Sequence, residues 1–84
     1  MRIDCKTYLE VDEIDHLTLR YRRGDGLDRK KAVALIQYHV ACSEPVSAAL
    51  AGTDVSLAAL AAYTDGMLYD TLVRVRTALI DTVL

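Results

Sequence analysis

The sequence has no phenylalanine and no tryptophan, one proline and two cysteines in 84 residues. Without Phe or Trp, apolar volume must come from aliphatic side chains, eleven alanines and five tyrosines. Two thiols, Cys5 and Cys42, are too few for a disulfide scaffold. A strongly apolar stretch is also missing. The longest weakly charged run, residues 46–64, has Asp54 as its only charge but is built largely of alanine with Ser47, Gly52, Thr53 and Ser56. A membrane span of about 20 residues needs greater hydrophobicity. The first residues are charged and no apolar h-region follows them, so a cytoplasmic location with reduced thiols is the expectation. There is no internal repeat.

What remains is ordinary for a folded domain: 52% apolar and 26% charged residues, with a formal charge of −2. The chain is too apolar and too evenly charged for a disordered tail, and residues 1–84 make one domain. A chain of this size buries only about 60–65% of the surface its unfolded form exposes. Its apolar content exceeds what a small monomer easily hides, and a homo-oligomer, in the first instance a homodimer, is expected.

The hydropathy pattern predicts a mainly α fold, a small helical bundle with an extended N-terminus and one long C-terminal helix. In residues 2–11, Ile3, Cys5, Thr7, Leu9 and Val11 alternate with polar residues at the two-residue period of a half-buried strand. Residues 12–23 read as a helix. Asp12 can cap it, acids Glu13 and Asp15 open it, Arg20, Arg22 and Arg23 close it, and Gly24 stops it. The alternative is α+β, with residues 2–11 and 17–23 paired as a hairpin. Asp28 caps a helix over 29–42 that is apolar almost all round, the mark of a central helix. Pro45 breaks it and opens a short helix over 44–51. A helix over 54–83 is drawn from Leu57, Leu60, Ala61, Thr64, Leu68, Leu72, Val75, Leu79 and Val83, at steps of three and four. It carries a second apolar stripe, about 100° round, with Ala62, Tyr69, Val73 and Ile80. Tyr63, Tyr69, Val73 and Ile80 are the expected oligomer interface, since tyrosines at helix seams sit at core edges or contacts.

The near-neutral total hides a segregated charge. Residues 1–19 carry −3, residues 20–31 carry +4, and residues 32–84 carry −3. Arg20, Arg22, Arg23, Arg29, Lys30 and Lys31 form the basic patch, six of the ten cationic side chains. It is the expected binding site for an acidic protein surface. Nucleic acid ranks second, because the rest of the body is acidic and the pI is near 5.5.

No catalytic constellation emerges. His39 and Cys42, three residues apart, lack the third group and oxyanion donors of acyl transfer. Cys5, His16, His39 and Cys42 have zinc-compatible side chains but no zinc-site spacing, so neither metal nor cofactor is expected. A helix-turn-helix laid on residues 46–60 would read bases with Ser56, Leu57, Ala58 and Ala59, which offer base edges almost nothing. The expected function is therefore non-enzymatic: a small regulator, adaptor or inhibitor acting through protein–protein contact. A nucleic-acid-binding regulator is the alternative.

Overall fold

A computed structural model describes the backbone of residues 5–81 and the side chains of residues 10–81. The fold is a small mainly α bundle. Among the described residues there are five helices and no strand: α1 (Cys5–Arg22), α2 (Arg29–Cys42), α3 (Glu44–Ala49), α4 (Leu57–Ala62) and α5 (Asp65–Asp81). Helices α1, α2 and α3 all pack against α5.

Local chemistry sets most of the boundaries. At the end of α1, the Asp25 N–H donates to the Arg20 carbonyl and the Gly24 N–H to the Tyr21 carbonyl, at 3.0 and 3.1 Å. This Schellman closure needs a left-handed residue, and Gly24 has φ +85°. Four side-chain oxygens cap the other helices, each accepting from an N–H three residues on. Asp28 accepts from Lys31, Ser43 from Val46, Ser56 from Ala59 and Thr64 from Met67, at 3.2–3.4 Å.

The core is aliphatic. Ile14 and Leu17 come from α1, Ala32 and Ile36 from α2, and Val46, Leu50 and Leu60 from the α3–α4 region. Helix α5 supplies Leu68, Leu72, Val75, Ala78 and Leu79. The tyrosines lie at its margins. Tyr21 of α1 meets Tyr69 of α5 with ring centroids 5.1 Å apart, tilted by 33°, a geometry that favours aromatic pairs.

Three expectations are corrected. The two-residue alternation across residues 2–11 does not make an extended segment. From Cys5 onward the chain is helical and joins the expected 12–23 helix in one element, which also removes the hairpin alternative; residues 2–4 lie outside the described residues. A lone strand would leave backbone donors without a ladder, whereas a helix satisfies them internally. The expected 54–83 helix is two helices. It breaks at Tyr63–Thr64, where Thr64 caps α5, and it starts at Ser56 rather than at Thr53 or Asp54; residues 82–84 are outside the described range. Finally, α2 is central in that it packs against α1, α3, α4 and α5, but it is not covered all round: Ala34, Tyr38 and Cys42 are exposed.

Candidate interaction surfaces

The basic patch sits at one end of the bundle, where the last turn of α1, the Gly24–Asp25–Gly26 link and the first turn of α2 converge. Arg20, Arg22, Arg23, Lys30 and Lys31 are all exposed. Among the described residues only Arg23 of these five has an acidic partner, Asp25 at 3.7 Å. A polar hollow of about 260 Å³ lies between Leu17, Arg20, Gly26 and Asp28. The sequence cluster thus becomes a spatial one because the Schellman turn folds the two helix ends back on each other.

The sixth cation is used inside the fold. Arg29 donates from Nη1 to Asp65 Oδ1 at 2.6 Å, and from Nη2 to the carbonyls of Tyr63 and Ala61 at 2.5 and 3.2 Å. Those carbonyls lie where α4 ends and have no helical donor. A planar guanidinium can hold all three acceptors at once, while an ammonium cannot. Arg29→Ala should lower unfolding stability by about 1–2 kcal/mol, a figure discounted because the side chain is partly exposed. Lys30→Ala, one residue on, should stay within about 0.5 kcal/mol. Urea midpoints compare the two, and equal losses would contradict the clamp.

The four expected interface residues do not share one open face. Tyr69 is half-buried against Tyr21. Tyr63 lies in the α4–α5 link, its hydroxyl donating to the Asp54 carbonyl at 3.2 Å. Ile80 is half-buried. Val73 is 37% exposed, among the exposed polar residues Asp70, Arg74 and Thr77. Helix α1 covers part of the second stripe, and Arg76 of α5 is ion-paired with Asp15 of α1 along the same seam.

A different surface is more open. Between α1 and α2 lies an apolar cleft of about 420 Å³, lined by Glu10, Glu13, Lys31, Ala34, Leu35, Tyr38 and His39. His39 is only 1% exposed. Its Nδ1 is 4.0 Å from a Glu10 carboxylate oxygen, and its Nε2 has no hydrogen-bond partner among the described residues. Burial pushes its pKa below the usual histidine value, while the charges of Glu10 and Glu13 pull it part-way back. The Tyr38 ring meets the imidazole edge-on at 5.1 Å, and the Tyr38 hydroxyl donates to Glu10 at 3.4 Å. Cys42, one turn on, faces solvent. His39 and Cys42 therefore occupy opposite environments. His16 is exposed on α1, and the Cys5 side chain is outside the described residues.

No family model, curated protein or solved structure matches this chain. No described helix is long and apolar enough to cross a membrane. No group of three or more His, Cys, Asp or Glu residues converges as a ligand set among the described residues. The segment tried as a helix-turn-helix holds two helices of six residues each, α3 and α4.

The sequence reading did not single out Ala34, Leu35 or Tyr38. A signal was present: Lys30, Ala34, Tyr38 and Cys42 recur every four residues, and the structure exposes all four.

Proposed function

We propose that this protein is a small non-enzymatic regulator, adaptor or inhibitor of the cytoplasm. It acts as a homodimer and docks an acidic surface of another protein through Arg20, Arg22, Arg23, Lys30 and Lys31. The observation that supports this reading is the exposed cluster itself. Five cations stand together at one end of the bundle with one ion pair among them, Arg23 with Asp25. Like charges held this close repel, and an opposing anionic surface relieves the repulsion. Arg29 is withdrawn from the site because the fold uses it. A protein partner is favoured over nucleic acid because both flanking stretches are acidic, which opposes a phosphate backbone.

Simultaneous reversal of Arg22, Arg23, Lys30 and Lys31 to Glu should abolish partner capture in a pull-down from the native host, with no fall in melting temperature. Undiminished capture by this variant would remove the patch from the mechanism. A shift of duplex DNA at low salt, where phosphate contacts are strongest, would reassign it to nucleic acid.

A further inference from the structure

The sequence makes α2 apolar almost all round, which calls for cover on every side. The fold covers only part of it. Ala32, Ile36 and His39 are buried, while Ala34, Tyr38, Ala41 and Cys42 are exposed at steps of three and four. The molecule measures 37 × 29 × 15 Å, a plate too thin to place a helix on both sides of α2 (each about 10 Å across). Grooves flank the exposed ridge. One is the cleft beside α1. The other, about 380 Å³, lies between α2 and α4 and is lined in part by Val33, Ala34, Leu57 and Ala61. Leu57 is 63% exposed.

Charge along this face is sorted by end. Lys30 and Lys31 stand at its start. Glu10 and Glu13 stand beside its later half, where Glu10 meets Tyr38 and His39. Lys31 and Tyr38 are seven residues apart, about 10 Å of helix rise. A face with a basic end and an acidic end is complementary to itself when turned through 180°.

We propose that the exposed face of α2 is where two copies of this chain join, with their α2 helices antiparallel across Ala34 and Tyr38. The two-fold axis then sets Lys30 and Lys31 of each copy against Glu10 and Glu13 of the other. A parallel arrangement would oppose like charges. Ala34 and Ala41 have no side chain beyond Cβ, so the helices can approach to about 8 Å. Each Tyr38 lies over the other copy's groove, the kind of anchor that dominates interface energy. A standard interface takes about 800 Å² from each partner, roughly a seventh of the 5274 Å² surface. This inference rests on the homodimer of the reading above. It moves the contact from α5 to α2, takes Lys30 and Lys31 into the dimer, and leaves Arg20, Arg22 and Arg23 for the acidic partner.

The oligomeric state in light scattering and sedimentation tests it. The wild type should be a dimer. Ala34→Glu should weaken the dimer more than about tenfold, without loss of helicity because the site is exposed in the monomer. Val73→Glu should leave it intact. Lys30→Glu with Lys31→Glu should give a monomer, as should Glu10→Lys with Glu13→Lys, and a 1:1 mixture of the two should dimerise. Glu13→Lys alone repeats the second arm at an exposed residue that, unlike Glu10, is not hydrogen-bonded to Tyr38 or ion-paired with His39 among the described residues.

A monomeric wild type overturns the proposal, as does a dimer that survives Ala34→Glu, or a mixture that stays monomeric. A dimer broken by Val73→Glu but not by Ala34→Glu overturns it in favour of α5. Arg22→Glu with Arg23→Glu separates the two readings: loss of capture with the dimer retained concerns the acidic partner alone, and a monomer that still captures its partner defeats the α2 contact and the homodimer while leaving the acidic partner in place.

Discussion

Leu72→Ala should lower the unfolding free energy by about 2–5 kcal/mol, while Val73→Ala, the next residue, should stay within about 0.5 kcal/mol. Leu72 has no exposed surface and lies mid-way along α5, against which α1, α2 and α3 all pack. Truncating it leaves a cavity in a core of aliphatic side chains that contains no methionine to adapt to the space. Domains are stable by about 5–15 kcal/mol, and small ones bury proportionately less surface. A loss of this size is a large share of the total. At roughly 4–8 °C per kcal/mol for a domain of this length, the melting temperature of Leu72→Ala should fall by at least about 8 °C. Thermal and urea unfolding of the two variants reads out the orientation of α5, because neighbouring residues point 100° apart. Equal losses would mean that α5 is rotated from the arrangement described above.

The same rotation explains how the helix content was legible while its breaks were not. Leu60 on α4 and Leu68 and Leu72 on α5 all face the core, so their spacing continues in phase across Tyr63–Thr64 as though one helix carried them. The signal for the break is local: Thr64 ahead of Asp65, a capping residue with an acid in the first turn. It competed with an unbroken apolar period. What holds the break, Arg29, is 32–36 residues distant in sequence, and no spacing rule reaches that far. The N-terminal alternation failed for a related reason. Val11 fits both a two-residue period and the Val11–Ile14–Leu17–Tyr21 helix face, and a window of ten residues does not separate them.

The basic patch was the more legible of the surfaces, since six cations within twelve residues need only a turn to bring them together. Even there, composition could not tell that Arg29 would leave the cluster to cap carbonyls on α4. The α2 face was the less legible. An almost continuous apolar circumference predicts burial, and only the packing of α1, α3, α4 and α5 around α2 shows which arc is left uncovered. The four-residue spacing of Lys30, Ala34, Tyr38 and Cys42 puts them on one face, but only the tertiary packing shows that this face is the open one.

His39 makes stability depend on pH, with a sign fixed by its burial. In the unfolded chain the imidazole takes up its proton near 6.5. In the folded protein burial disfavours the charged form and moves that uptake to lower pH, although Glu10 and Glu13 resist the shift. Between the two values the unfolded state holds more protons, so stability falls as pH falls. The contribution is complete above about pH 6.5 and is lost on acidification, with a slope of at most about 1.4 kcal/mol per pH unit for one proton. Urea unfolding between about pH 8 and pH 5.5, above the range where carboxylates dominate, should show this loss in the wild type. His39→Gln should flatten that part of the slope, even though the variant is less stable at every pH because it buries an amide beside apolar neighbours. Glu13→Gln should have the opposite effect. Removing a negative charge that favours the imidazolium moves the histidine further down and extends the loss to lower pH. An NMR titration of the His39 ring follows both changes directly. A ring that titrates above 6.5 in the folded protein would show that the carboxylates outweigh burial and would reverse the sign of the dependence, and a Glu13→Gln variant that raises its pKa would show that the Glu13 charge does not favour the imidazolium.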